Sequence, residues 1–284
     1  MISALHDCLT LPITQRALLA CLMIGFANGY VSAFVVLRRS ALRVGTISHG
    51  LLPGIAAAVF LLGLSQWSVL AGAAAAGLFV GLGALFLAQR SRIDQDTALG
   101  ILYTAGFAGG LILIAKIGIR QKLDEWLFGG LLGMTDADLW IAFAISAAAV
   151  LTLTAFRRAI TLTLFEPNVA ASLGVPVKAL NYALFGIVIL ALVSSLQAVG
   201  CILSVGLLVA PAATVALFAK DSATLFAGGG LLGAAGSCGG FVLAYHFDWP
   251  TGATIILLLG TVFLGAYLVS RALNAFRAKR PGTA

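Results

Sequence analysis

The sequence predicts an all-α, polytopic membrane bundle of about nine transmembrane helices. Three observations predict it. Of 284 residues, 61% are hydrophobic and the mean hydropathy is +1.08. Only 10% are charged, where a soluble domain carries about 25%. The apolar residues also fall into runs of roughly 20, the helical length that crosses a hydrocarbon core about 30 Å thick.

Nine such runs follow one another: about 17–37, 45–63, 67–88, 97–115, 139–156, 179–197, 201–218, 224–245 and 252–273. The first carries no early Lys or Arg of the kind a cleavable signal begins with, so it is expected to target the chain itself. The second holds His49, with Pro53 and Gly54 one turn later. The third repeats small residues every four positions, at Ala73, Gly77 and Gly81, a face that lets helices approach closely. The fourth opens just after Asp96, and a mixed segment at 116–138 follows it. Trp126, Leu127 and Phe128 suit that segment to the headgroup layer.

After the fifth run come Arg157 and Arg158, then Phe165-Glu166-Pro167 and an alanine-rich stretch through Ala170 to Gly174. Proline favours the first turn of a helix and glycine its stop, so 166–174 predicts one short helix between membrane runs. Runs six and seven are nearly continuous, divided only by a tight turn at 197–200. Pro211 predicts a kink within run seven. Run eight carries Gly229, Gly233, Gly236 and Gly240, and a turn at 248–254 leads into run nine and a basic tail at 271–284.

Basic residues fix the expected orientation. With the Arg38–Arg43 loop in the cytoplasm and the runs alternating, 13 of 17 basic residues lie inside. Cytoplasmic loops carry the excess of Lys and Arg, so the N-terminus is expected outside and the C-terminus in the cytoplasm. The +7 charge is dispersed and gives no nucleic-acid patch. No lysine follows a glycine, so there is no P-loop, and neither HExxH nor GxSxG occurs. An enzyme is not expected. Cys8, Cys21, Cys201 and Cys238 form no CxxC pair.

His49 is the sharpest chemical feature. An ionisable side chain inside a span is costly and faces a cavity or the bundle interior. Neutral imidazole is also a good transition-metal ligand, and Pro53 frees a backbone carbonyl beside it. Two readings stand: a pathway ligand, or a histidine hydrogen-bonded to a neighbouring helix. Ser48 and Asp96 are candidate companions, Asp96 by its chemistry alone.

In order and spacing these stretches resemble one family, the membrane subunit of bacterial ABC importers for zinc, manganese or iron. The stretches are Phe34 to Arg39, Ile47 to Gly54, Asp96-Thr97 with Gly100, Trp126 to Gly129, Ala170 to Gly174, Pro211 to Thr214 and Pro250 to Thr254. The resemblance implies a fold similar to the vitamin B12 importer permease and a single transmembrane domain over 1–284 in the bacterial inner membrane. It implies that a separate ATP-binding subunit docks on Glu166, Ala170 and Gly174. It further implies a second permease subunit, a homodimer being expected, and an extracytoplasmic metal-binding protein that delivers the ion. No resident cofactor is implied; the divalent metal is cargo. Family members commonly carry an Asp four residues before the histidine, and here that position is Gly45. An organic metal chelate, or transport driven by an ion gradient, stand as alternative readings.

Overall fold

The computed structural model describes residues 10–63, 65–117, 129–200 and 204–278. Among them the secondary structure is helical throughout. Eight helices are long and apolar enough to cross a membrane, and a ninth apolar stretch, Ser204–Ala216, is shorter and broken. The expected segment at Trp126, Leu127 and Phe128 lies outside the described residues.

The first helix, α1 (Pro12–Leu37), is the central post of the bundle. From Ile24 to Val35 every position but Phe26 is buried, so this half meets protein on all sides, while Ile13, Leu19 and Leu22 stay exposed. Its neighbour α12 (Ser222–Phe247) lies antiparallel against it, backbone on backbone. A Cβ on Gly25 would stand 2.6 Å from the Gly233 carbonyl oxygen, and one on Gly229 would stand 2.5 Å from that of Gly29. Only glycine permits this approach.

The second run is two helices, α2 (Ala41–His49) and α3 (Leu51–Leu62), hinged at Gly50. Pro53 explains the position of the break. It has no N–H for the His49 carbonyl, and its ring crowds that carbonyl. The third and fourth runs are α4 (Gln66–Arg90) and α5 (Gln95–Ile117). Gly54 of α3 and Gly72 of α4 meet backbone to backbone, while Gly77 seats Ile189 and Leu51 side chains. The fifth run is α6 (Asp136–Ala155), opened by a reciprocal cap between Thr135 and Asp138.

Between the fifth and sixth runs there are two short helices rather than one: α7 (Arg157–Phe165) and α8 (Pro167–Ser172). The sequence pattern showed the second because proline and glycine bracket it; α7 has no such punctuation at its start. The sixth run is α9 (Val177–Val199), stopped at Gly200 with φ +84.

The seventh run departs most from the sequence expectation. It is α10 (Ser204–Leu207) and α11 (Ala210–Ala216), with Pro211 in the first turn of the second helix, not within a kinked span. A proline there gives up no helical hydrogen bond. The Ala212 N–H instead donates to the Ser32 hydroxyl of α1 at 3.1 Å, and that hydroxyl donates to the Gly29 carbonyl at 2.6 Å. The last helix is α13 (Thr251–Ala278).

Polar contacts mark the two ends of the bundle. At one, Arg43 binds Asp96, Tyr182 donates to Gln89 at 3.3 Å, and Arg157 and Arg158 border the same pocket as Ser222. At the other, Arg16 pairs with Asp136 at 3.0 Å and Gln66 donates to Asp138. Lys220 therefore lies at the end that carries Arg38, Arg90 and Arg157, so the broken seventh run leads across the bundle.

Candidate functional site

The hinge at Gly50 positions His49 as the last residue of α2. Its ring is half-buried and faces Tyr103 of α5, with centroids 6.1 Å apart at 38°. Tyr103 in turn meets Phe107 at 6.5 Å. The aromatic pair gives one side of His49 an apolar wall. Ser48 is fully buried and donates to the Gly45 carbonyl at 2.8 Å, so its hydroxyl is satisfied within its own helix.

Helix α5 is shaped to receive the break. A Cβ on Gly110 would stand 2.6 Å from Pro53 Cα, and one on Gly106 would stand 3.5 Å from the Pro53 ring. On the other side, Gly45 faces Val205 of α10, with 3.7 Å available to a Cβ. That is ordinary contact distance, so a Cβ would fit at this position.

Asp96 is not brought to His49. Its carboxylate takes Arg43 Nε at 2.5 Å and NH2 at 3.4 Å, while Arg43 NH1 donates to Gln95 at 3.1 Å. His49 follows Arg43 by six residues and Tyr103 follows Asp96 by seven. The two helices thus run parallel, with the ion pair about 10 Å along the axis from the imidazole. Asp96 is a candidate by its chemistry alone, and the sequence does not state its distance from His49.

Asp94 caps α5, accepting from the Thr97 hydroxyl at 2.6 Å and from the Thr97 and Asp96 N–H groups at 3.1 Å. These bonds hold its carboxyl below the usual aspartate range, the Thr97 hydroxyl contributing most. Arg38, just past α1, lies against Phe34 and Phe185, with its guanidinium 5.8 Å and 4.9 Å from the ring centres. Burial first, and Arg43 second, lower its pKa to about 10. It stays a cation at neutral pH.

Among the described residues no three His, Cys, Asp or Glu side chains gather where one ion could be held. His49 stands as a single imidazole beside the helix break.

The element around Glu166, Ala170 and Gly174 is well defined. Pro167 starts α8, Glu166 lies exposed before it, and Ala170 is buried. Gly174, with φ +81, ends the helix. The Val175 N–H donates to the Ala170 carbonyl and the Gly174 N–H to that of Ala171, both at 3.0 Å. This is a left-handed stop that glycine adopts readily. Phe165, Val169 and Leu173 stay exposed around it.

Sequence reasoning missed Asn28, Ser32 and Tyr103. Asn28 is fully buried in α1, and among the described residues neither its carbonyl nor its amide nitrogen has a hydrogen-bond partner. Ser32 lies one turn further on. A signal existed, since both are polar residues inside an apolar run.

Comparisons with known proteins agree on one family. The ABC 3 transport family matches residues 10–270. The manganese import system permease protein ScaB of Streptococcus gordonii is 34% identical over 269 residues, which is 95% of this chain and 94% of that protein. The chelated iron transport system membrane protein YfeD of Yersinia pestis is 31% identical, over 94% of this chain and 89% of its own length. A solved structure, PsaBC from Streptococcus pneumoniae in complex with Fab, matches with a TM-score of 0.84 and 32% identity over 94% of this chain and 95% of that one. An inward-facing metal-chelate type ABC transporter shares the fold, with a TM-score of 0.74 at 18% identity over 90% of this chain and 87% of that one.

Proposed function

The chain belongs to the ABC 3 transport family, and from that premise we propose that it is the membrane permease of an ATP-driven importer of divalent manganese, iron or zinc. The observation that carries the reading is His49, a half-buried imidazole at a proline-induced helix break beside an aromatic wall. Such an ion needs a ligand that binds without holding, since an ion held too tightly never leaves. Two subunits side by side offer one such imidazole each. Manganese import and chelated iron transport are what the names of these relatives state, and imidazole suits either metal as well as zinc.

The end carrying Arg38, Arg90 and Arg157 faces the cytoplasm, by the excess of basic residues there. The chain lacks a P-loop. ATP hydrolysis is therefore supplied by a separate ATP-binding subunit, which docks on α8 through the exposed Phe165, Val169 and Leu173. A second copy of the permease completes the pathway, and an extracytoplasmic metal-binding protein delivers the ion at the opposite end.

The mechanism follows from the break. Pro53 leaves the His49 carbonyl without its helical donor, so the imidazole and that carbonyl lie together beside the hinge. A hinge tilts at little cost in hydrogen bonds, because the bond that would resist is already missing. Motion of α8 against the ATPase would open and close this level of the pathway.

The test is metal uptake by cells carrying His49→Ala. Manganese or iron uptake should fall more than tenfold at unchanged membrane abundance, with capture by the delivery protein intact. Uptake equal to wild type would reduce His49 to a packing residue.

A further inference from the structure

Helix α7 starts with Arg157 and Arg158, and α12 starts with Ser222. Both starts border one open pocket of about 400 Å³, and the rest of its lining is Thr161, Leu162 and Phe165 of α7. Four of these six side chains are polar, and the transport reading gives them no chemical task. Among the described residues the ion pairs are Arg16–Asp136 and Arg43–Asp96, so neither Arg157 nor Arg158 is paired with a carboxylate. Asp221 stands next to Ser222 but is engaged elsewhere. Its Oδ1 takes the Thr224 N–H at 2.6 Å as the cap of α12, and Arg157 acts on it only at longer range. Glu166 is exposed beyond the far end of α7 and does not line the pocket, while Lys220 adds a further positive charge two residues before Ser222. A pocket lined by one sign of charge gathers the opposite ion.

Donor counting gives the class of anion. A guanidinium is a planar fork of N–H donors that takes two oxygens at once. The pocket offers two such forks and the Ser222 hydroxyl. The Thr161 hydroxyl adds no donor, because it donates to the Arg157 carbonyl at 2.9 Å. A carboxylate has two oxygens, and one fork fills them. A phosphate group spreads its oxygens over a tetrahedron, enough for both forks and the hydroxyl. Leu162 and Phe165 leave an apolar side for the group that the phosphate esterifies.

We propose that this pocket binds one phosphate group on Arg157, Arg158 and Ser222, carried by an anionic phospholipid headgroup or present as free phosphate. The pocket lies where α6 has just ended and α12 begins, the level of the headgroups, and basic pockets between membrane helices take such groups. A phosphate held there joins the start of α7 to the start of α12. Helix α7 passes through Phe165 and Glu166 directly into α8, so the bound group fixes the support from which α8 projects. That consequence rests on the docking role proposed for α8; the binding does not.

The test uses the purified, delipidated full-length chain and needs neither metal nor ATP. Native mass spectrometry with dioleoyl phosphatidylglycerol against dioleoyl phosphatidylcholine reads the lipid source, and equilibrium dialysis against radiolabelled inorganic phosphate reads the free one. The wild type should hold one phosphatidylglycerol per chain in preference to phosphatidylcholine, or one phosphate per chain, and the ligand held identifies the source. Arg157→Gln with Arg158→Gln should weaken that binding roughly tenfold or more, and Ser222→Ala about threefold. Each single arginine variant should lose part of it, so the test stands even if the pair misfolds. Arg271→Gln, on α13 and outside the pocket, should change nothing. Failure of the wild type to bind either ligand, unchanged binding in the double variant, or an equal loss in Arg271→Gln would overturn the proposal. So would displacement of the phosphate group by an equimolar hexaglutamate peptide, which would give the pocket to an acidic protein surface.

Discussion

Arg43 of α2 and Asp96 of α5 form a two-point ion pair, Nε to Oδ1 at 2.5 Å and NH2 to Oδ2 at 3.4 Å. It ties the hinged second run to α5 at the basic end, about 10 Å from His49 along parallel helices. The Arg43 side chain is 28% exposed and that of Asp96 62%, so solvent screens the pair.

An exposed pair of this kind contributes roughly 0.2–1 kcal/mol. Asp96→Asn should therefore lower the melting temperature by no more than a few degrees. Its effect on uptake should be matched by Arg43→Gln and not deepened in the double variant. Metal preference should stay as it is, because Asp96 is committed to Arg43. A changed preference among manganese, iron and zinc, measured by competition uptake, would place Asp96 on the pathway instead.

Asn28 presents the opposite case. A buried polar group without partners costs about 1–3 kcal/mol. Leucine replaces the carboxamide heavy atom for heavy atom and needs no partner. Asn28→Leu should raise the melting temperature of the detergent-solubilised chain by several degrees. A fall instead would mean that the amide is hydrogen-bonded in the folded protein and contributes to its stability.

Glycine positions should divide sharply by what a Cβ would meet. Gly29 faces the Gly229 carbonyl, whereas Gly260 has open space around it. Gly29→Val should force α1 and α12 apart and cost at least the 1–3 kcal/mol of overpacking, visible as lost monodisperse protein on size exclusion. Gly260→Ala should leave yield and melting unchanged. Similar behaviour of the two variants would mean that the backbone contact is not under compression.

Gly174 tests the docking element through conformation alone. Its surroundings are open, but φ is +81. A β-branched residue in the left-handed region costs on the order of 1–2 kcal/mol, which Asn evades in part. Gly174→Val should uncouple ATP hydrolysis from transport in the reconstituted transporter, and Gly174→Asn should retain most of the coupling. Equal coupling in both would remove the turn from the proposed mechanism.

Much of this architecture was legible in the residues, for physical reasons. Hydrocarbon thickness sets the length of an apolar run, so the long helices could be counted. Proline and glycine punctuate a backbone wherever they stand, so the Gly50 hinge region and the α8 stop could be anticipated from Pro53, Pro167 and Gly174. What stayed hidden was relative height. Arg43 and Asp96 are 53 residues apart, and no periodicity states that they share a level while Asp96 and His49 do not. The broken seventh run was hidden for a related reason. Pro211 reads alike as a kink or as a helix start, and the choice depends on Ser32, 180 residues earlier, taking the Ala212 N–H. Helix α7 has neither proline nor glycine at its start, where a turn at Phe156 alone separates it from α6.

The glycine seam between α1 and α12 has a consequence for biosynthesis. Gly29 meets Gly229, about 200 residues later in the chain. At about 5–20 residues per second, the ribosome needs some 10–40 s to supply the partner. For that interval α1 stands with its notch and its Asn28 carboxamide turned toward lipid or toward the insertion machinery. The nascent chain thus depends on a temporary companion for α1 until α12 arrives. Substitutions in the seam should accordingly show themselves first as slow maturation and degradation during synthesis, before any defect appears in the finished protein.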